Sequence, residues 1–219
     1  MSGEASKLGG KQANDRGRAL EDALDQVHAI LRPRGIYVVR TCCPSRVVRM
    51  GGRLTVIYEN GGLPDYHGFG PFGFVAFEAK STSKTRWPIQ EVTADRVEAG
   101  KLVAEGQGSH LERVANTVGP DGRLATAGVV LRFHAGLATY DYWLPWGRHG
   151  DGLLGDRWRE ATGGTTGGRA SLDYAACEVL GRRLVGLDWT SAVAPMKWGR
   201  DATGSVTLTS ATPSRRVPR

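Results

Sequence analysis

Two carboxylates and one lysine are the residues of this chain whose types and spacing could carry out chemistry together. Asp65 follows a proline, and Glu78 and Lys80 stand two residues apart further along the same segment. Two nearby carboxylates repel each other unless a cation lies between them. Oxygen ligands of this kind suit a hard divalent metal such as Mg²⁺. A lysine beside that metal could orient a water molecule or stabilise charge on a phosphate.

The local sequence predicts how these side chains are positioned. Residues 72–80 alternate in character, which predicts a strand that places Glu78 and Lys80 on one face. Glycines before this strand predict a hairpin that brings Asp65 beside Glu78. His67, two residues after Asp65, is a candidate for a supporting role near the metal. The alternative interpretation is a surface aspartate and a solvated Glu–Lys pair at a strand end.

The surrounding pattern predicts a mixed α/β or α+β sheet. Apolar residues from Leu20 to Leu31 recur at helical spacing, so a helix is expected to begin near Arg16, with Asp15 as its N-cap. The remaining segments of the pattern divide into strands and helices. Strands are predicted over 35–41, 53–59, 72–80, 128–134 and 139–144, and helices over 93–106 and 171–184.

Charge and composition divide the chain into four regions. The formal net charge is +7, of which residues 1–18 carry +2 and residues 195–219 carry +4, so the middle is nearly balanced. We predict a disordered arm, a folded domain, an extension with one helix and a basic disordered tail. These regions span residues 1–15, 16–146, 147–194 and 195–219.

Composition also excludes several classes of protein. The sequence has no apolar stretch of about 18 residues that could span a membrane. Its first residues lack the apolar region of a secretory signal. Three cysteines without a CxxC pair predict reduced thiols rather than a disulfide or zinc framework. A soluble, cytoplasmic protein is expected, and the glycine-rich stretch 163–168 is interpreted as a linker.

Pro64-Asp65, Glu78 and Lys80 form the PD…(D/E)xK pattern of metal-dependent nucleases, and an ordered set of further motifs accompanies it. This set resembles the RecU family of Holliday junction resolvases over about residues 14–146. The matching segments and the family patterns are Arg16–Glu21 (RGxxxE), Asp65–Gly68 (DYNG), Phe77–Thr82 (FEAKxT), Trp87–Ile89 (FPL) and Tyr142–Pro145 (YYLP).

The resemblance implies a restriction-endonuclease-like α/β fold, with a mixed central β-sheet flanked by helices and a C-terminal extension. It implies that Asp65, Glu78 and Glu21 bind Mg²⁺, which Mn²⁺ can replace, and that Lys80 assists the attacking water. The implied substrate is a four-way DNA junction, cut by a homodimer with paired symmetric nicks. A recombinase is a further candidate partner, and the location is the cytoplasm of a bacterium or of a phage host. The candidate DNA contacts are Arg16, Arg18, Arg40, Arg46 and Arg49.

The chain departs from the family pattern at three places. Leu63-Pro64 replaces a Thr-Thr pair, Asp95-Arg96 stands where the family has His-Gln, and the stalk segment over 47–62 is short. Junction selectivity is therefore less secure than nuclease chemistry. Two alternatives follow: a related nuclease that acts on another DNA structure, such as a flap or duplex end, and a non-catalytic DNA-binding protein that modulates recombination.

Overall fold

The fold is taken from a computed structural model. It describes residues 2–41, 45–50, 53–58, 63–89, 92, 96–98, 101–104, 106–119, 122–146, 171–193, 196–200 and 206–210. Side chains are described for residues 12, 14–41, 63–89, 92, 106–119, 122–146 and 171–193. The predicted linker over 163–168 lies outside the described residues.

Helices and strands alternate along the described chain. The helices are α1 (Ser2–Leu31), α2 (Gln107–Asn116), α3 (Tyr174–Leu180) and α4 (Thr190–Val193). The strands before α2 are β1 (Tyr37–Arg40), β2 (Ser45–Met50), β3 (Arg53–Tyr58), β4 (Tyr66–Gly70), β5 (Gly73–Thr82), β6 (Arg86–Pro88), β7 (Arg96–Glu98) and β8 (Lys101–Ala104). Those after it are β9 (Thr126–Ala135), β10 (Ala138–Trp146), β11 (Ser171–Asp173), β12 (Arg182–Leu184), β13 (Met196–Arg200) and β14 (Val206–Ser210).

A six-stranded sheet forms the centre of the molecule, in the order β1-β4-β5-β9-β10-β12. The β5–β9 pair is parallel and the other pairs are antiparallel. A parallel pair needs a crossover connection, and the chain between β5 and β9 contains α2. The predicted mixed α/β class, with a central mixed sheet flanked by helices, is confirmed.

Helix α1 covers one face of this sheet. Its buried Leu20 and Leu24 belong to the same apolar cluster as Phe77, Trp143 and Trp189. The helix begins at Ser2, so the predicted disordered arm over residues 1–15 and the Asp15 cap are wrong. The first residues include Ala, Lys, Gln and Glu, which favour helix intrinsically, and this preference outweighs the glycines that suggested disorder.

The opposite face of the sheet carries a second apolar cluster. Leu131 and Phe133 of β9 pack there with Leu111 of α2, Trp87 and Leu172. Trp87 and Leu172 are themselves paired, because β6 and β11 form a two-stranded antiparallel ribbon. The alternation of side chains along β9 and β5 therefore fills two cores, one on each face.

The predicted helix over 93–106 is wrong. The structure places β7 and β8 in that segment, paired antiparallel with Val97 opposite Leu102. Branched valines favour strands, and the glycine at position 100 weakens a helix in its interior. Helical spacing of a few apolar residues was therefore a misleading signal.

Residues 171–193 are part of the central fold rather than an appendage. Strand β12 is the sixth strand of the sheet, and Trp189 is fully buried against α1 residues. The predicted helix over 171–184 is reduced to α3, which Asp173 caps by accepting a hydrogen bond from the Ala176 N–H. The boundary placed at residue 146 thus does not separate two packing units among the described residues.

The last described segment also differs from expectation. The tail over 195–219 was predicted to be disordered, but β13 and β14 pair as an antiparallel hairpin within it. Alternating threonine and apolar residues in β14 fit a strand. Within the described part of the chain, no helix is long and apolar enough to cross a membrane.

Candidate metal centre

The turn before β4 holds Asp65 in place. Asp65 Oδ2 accepts a hydrogen bond from the Ala79 N–H on β5 at 2.9 Å. The Asp65 carbonyl accepts a second bond from the Thr41 N–H at 2.8 Å. The Thr41 hydroxyl donates to the Pro64 carbonyl at 2.5 Å and lies 3.0 Å from His67 Nδ1. This turn is therefore clamped from two strands.

Gly68 permits the close approach of these strands. It pairs with Val38 across the β1–β4 ladder, and a Cβ atom at this position would clash with the Tyr37 carbonyl oxygen. Any larger residue would push β1 away from β4 and displace the Thr41 clamp. This gives a physical reason for the glycine that follows Asp65 by three positions.

Asp65, Glu78 and Lys80 meet on the face of the sheet that lies opposite α1. Lys80 Nζ lies 3.1 Å from Glu78 Oε2 and 3.9 Å from Asp65 Oδ2. The strand alternation predicted for this segment is observed, since Glu78 and Lys80 pair with Val129 and Leu131 of β9 on the same face. The hairpin between β4 and β5 brings Asp65 beside them.

Glu78 is fully buried, and this determines its electrostatics. Both of its carboxylate oxygens lack an aligned hydrogen-bond donor among the described residues, so the Lys80 ammonium interacts as a charge rather than as a hydrogen-bond donor. Burial raises the pKa of Glu78 to about 8, the negative charge of Asp65 adds to this effect, and Lys80 opposes it. The site holds a carboxyl group that needs positive charge to ionise.

Glu21 stands apart from this pair. It lies on α1, against the other face of the sheet, and its carboxylate contacts the Arg40 guanidinium. Burial raises the pKa of Glu21, and the neighbouring Arg40 opposes this effect. The negative charge of Asp65 also raises the pKa of Glu21, so the two carboxylates interact electrostatically. Among the described residues, no group of three or more His, Cys, Asp or Glu side chains is arranged to hold a metal.

The donor set of the Asp65–Glu78 pair fits a divalent cation. It offers carboxylate oxygens, the ligands that Mg²⁺ prefers, and the buried oxygens of Glu78 have unused acceptor capacity. The two-residue set leaves room for water, as Mg²⁺ usually keeps several. Glu21 contacts Arg40 through one of its two carboxylate oxygens.

The candidate DNA-binding arginines are placed differently from one another. Arg40 contacts Glu21, and Arg18 is exposed on α1. Arg16 is half-buried, and its positive charge contributes to lowering the pKa of His134. Burial and Arg132 are the larger causes of that shift. Arg46 and Arg49 belong to β2, and their side chains lie outside the described residues.

Sequence reasoning missed Thr41 and the Arg40–Glu21 pair. Thr41 is 23 residues from Pro64 along the chain, and only the β1–β4 pairing brings them together. A polar residue at the end of a predicted strand was the available signal, but it names no partner. The sequence makes His67 a candidate for a supporting role, and its contact with Thr41 places it next to the Asp65 turn.

Comparison with known proteins adds little to this geometry. No family model matches the chain, and no curated protein matches it significantly. Among solved structures, a Holliday junction resolvase, Hjc of Archaeoglobus fulgidus, is similar with a TM-score of 0.39 and 15% sequence identity. The likeness covers 74% of this chain and 93% of that chain.

Proposed function

We propose that this protein is a Mg²⁺-dependent DNA endonuclease of the PD…(D/E)xK type that resolves four-way junctions. The observation that carries the proposal is the buried Glu78 carboxyl, without an aligned hydrogen-bond donor, facing Asp65 and Lys80. Groups whose ionisation is perturbed by burial and by charged neighbours cluster at functional sites. The ordered motifs of the sequence favour DNA junctions as the substrate.

Each residue of the site has a distinct task in this mechanism. Asp65 and Glu78 would hold the cation, which when bound activates water and shields charge on the phosphate. The hydrogen bond from Ala79 N–H fixes the Asp65 carboxylate. Lys80 balances the carboxylates before the cation binds, and its ammonium is then free to orient the attacking water or contact the phosphate.

A homodimer is part of the proposal because one active site cuts one strand, and a junction has two-fold symmetry. Exposed apolar residues support it. Tyr37, Val39 and Phe69 are 63%, 49% and 61% exposed, and they lie on the sheet face that carries Glu78. Sedimentation velocity should show a dimer that Phe69→Ser weakens, whereas a monomeric wild type would contradict this part.

Cleavage assays test the proposed activity. Four-way, flap and linear DNA are incubated with the protein in Mg²⁺, in Mn²⁺ and with chelator, beside an Asp65→Ala variant. We expect paired nicks in the four-way DNA that require metal and fall by at least about a thousandfold in the variant. Preferential cutting of flap or linear DNA would show that the substrate is another DNA structure. The proposed metal-dependent hydrolysis would still stand.

One observation favours the non-catalytic alternative. Two described carboxylates meet at the site, while Glu21, the third expected ligand, is engaged by Arg40. A protein that binds junctions but does not use metal would keep that pair. If wild type and Asp65→Ala bind four-way DNA equally and neither cuts any DNA, the protein is a binding modulator and the enzyme proposal fails.

A further inference from the structure

A cavity lies on the same face of the sheet as Glu78 and Lys80, two strands away. It encloses about 360 Å³, within the range of small-ligand pockets. Its lining residues come from β9, β10, α3 and β12. They are Ala135, Tyr140, Tyr142, Tyr174, Glu178 and Arg183.

The strand register ties this cavity to the candidate metal centre. Lys80 pairs with Leu131, Leu131 pairs with Tyr142, and Tyr142 pairs with Arg183, so the four residues form one row across the sheet. Neighbouring strands are about 4.8 Å apart, which puts Tyr142 about 10 Å from Lys80. At about 3.4 Å per nucleotide of a stacked strand, that span corresponds to at most about three nucleotides of one DNA strand.

Aromatic rings form the walls of the cavity. Tyr174 lies 5.3 Å from Tyr140 with an interplanar angle of 70°, and it packs at 4.5 Å on Phe133 beneath it. Tyr140 and Tyr174 are only half-buried, so ring surface remains open to a ligand. Flat aromatic surfaces of this kind bind nucleobases by stacking.

Two opposite charges line the opening of the cavity. Glu178 accepts a hydrogen bond from the Tyr142 hydroxyl at 3.0 Å, and Arg183 lies 5.0 Å from the centre of the Tyr140 ring. Glu178 and Arg183 are both exposed, so core packing does not account for their positions. A carboxylate only accepts hydrogen bonds and a guanidinium only donates them, so the cavity offers both kinds of partner.

A flat ring that carries both donors and acceptors matches this arrangement best. Guanine presents N–H donors that suit a carboxylate and the O6 and N7 acceptors that suit an arginine. A simple anion would meet Glu178, and a simple cation would meet Arg183. Enzymes that hold a base outside the DNA stack use the same combination of aromatic stacking and polar contacts to the base edge.

We propose that the Tyr140–Tyr174 cavity binds one unstacked, amino-bearing nucleobase, with guanine preferred, from the DNA strand that enters the metal centre. The proposal rests on the proposed function for the identity of the DNA ligand. The base stacks on the Tyr174 ring with Tyr140 against its edge, Glu178 accepts from its amino edge, and Arg183 donates to its acceptors. The cavity then acts as a specificity-determining site within about three nucleotides of the cleaved phosphate.

The test measures the affinity of four-way DNA for full-length Asp65→Asn protein, which prevents cleavage during binding. Guanine at each position within four nucleotides of the exchange point is replaced in turn by inosine, thymine or an abasic site. At one position, we expect binding to weaken about tenfold for the abasic DNA and to a smaller extent for inosine, which lacks the amino group. The Glu178→Ala variant should lose the discrimination between guanine and inosine.

Matched variants separate the cavity from general effects. Tyr174→Phe should keep the stacking preference, and Ile30→Ala, at an exposed position of α1 on the other face of the sheet, should change nothing. Arg183→Gln, at an exposed position, should weaken binding of guanine-containing DNA without loss of thermal stability. Equal affinity for guanine and abasic DNA at all positions, or unchanged guanine preference in Glu178→Ala, would overturn the proposal.

The two proposals can fail separately. Metal-dependent cutting by the wild type without base discrimination would remove the cavity proposal alone. Base discrimination that depends on Glu178, in a protein that cuts no DNA, would remove the nuclease proposal alone. In that second case the cavity would belong to a junction-binding protein.

Discussion

At the scale of single residues, Glu78 is the group with the largest electrostatic cost in the candidate metal centre. Its pKa of about 8 means that much of the metal-free protein carries the protonated acid at neutral pH. A cation between Glu78 and Asp65 would favour the ionised form, so metal binding should release a proton. The affinity for metal should therefore rise as the pH rises toward 8.

Calorimetry with Mn²⁺ checks this expectation. In two buffers of different ionisation enthalpy, the difference in heat should correspond to release of part of one proton at pH 7 by the wild type. Glu78→Gln should bind Mn²⁺ at least about tenfold more weakly and release no proton. The control is Asp22→Asn, which removes an exposed carboxylate of α1 and should leave the affinity unchanged. Equal Mn²⁺ binding by Glu78→Gln would remove Glu78 from the ligand set.

Thr41 is the residue that positions the Asp65 turn. Thr41→Val keeps the shape but removes the hydroxyl that bonds Pro64, at a stability cost of about 1 kcal/mol. We expect cleavage to fall about tenfold and Mn²⁺ binding to weaken in parallel, because Asp65 is then less rigidly held. Thr41→Ser should restore both quantities. If Thr41→Val cuts and binds metal like the wild type, the hydroxyl has no positioning role.

At the scale of elements, local patterns identified those parts whose burial is regular. Strand β5 was predictable because polar Glu78 and Lys80 alternate with apolar residues that enter the α1 core. The grouping of Asp65 with Glu78 and Lys80 was predictable from this strand, because the three residues are close in sequence and joined by one hairpin. The start of α1 and the β7–β8 hairpin were not predictable in this way, because glycines interrupt both segments and neither sequence has a long regular apolar pattern.

Long-range pairings were also beyond a local pattern. Strand β12 completes the sheet although it lies 36 residues after β10 ends, and no spacing in the sequence signals that return. The same holds for His28 and Trp189, which meet from opposite ends of the described domain. Tertiary packing decides such contacts, and propensity is only a weak guide to them.

The attachment of α1 to the C-terminal segment has a pH dependence. Trp189 Nε1 donates to buried His28 Nε2 at 3.2 Å, and burial lowers the pKa of His28 to about 4, against a smaller opposing effect of Asp25. The unfolded chain takes up this proton near pH 6.5 and the folded chain near pH 4. Stability from neutral His28 is therefore present above pH 6.5 and is lost as the pH falls toward 4.

Denaturant unfolding at pH 7.5 and pH 5 measures this loss. For the wild type we expect the free energy of unfolding to fall by up to about 2 kcal/mol through His28. His28→Gln retains an acceptor for Trp189 but cannot titrate, so its dependence on pH should be smaller by that amount. Identical pH dependence in the two proteins would show that His28 does not couple α1 to the C-terminal segment.

At the scale of the whole molecule, the charges are divided between the ends of the chain and its centre. The formal net charge of +7 comes almost entirely from residues 1–18 and 195–219, while the candidate metal centre holds two carboxyl groups and one lysine. The metal-free site carries little net charge, since Glu78 is largely protonated at neutral pH and Lys80 balances Asp65, so DNA affinity must come from basic residues elsewhere. The terminal arginines at 215, 216 and 219 are candidates by sequence.

The dependence of DNA binding on salt tests this division. Each phosphate contact that is lost reduces the slope of log K against log salt by about 0.9 on duplex DNA. We expect the triple variant Arg215→Gln, Arg216→Gln, Arg219→Gln to reduce the slope by as much as about 2.7, with cleavage at saturating DNA unchanged. The matched control is the double variant Arg32→Gln, Arg34→Gln. These exposed arginines lie just before β1, whereas Arg40 is at the other end of that strand. An unchanged slope in the triple variant would mean that the tail does not contact phosphates, and the candidate metal centre would then need its basic surroundings within residues 19–194.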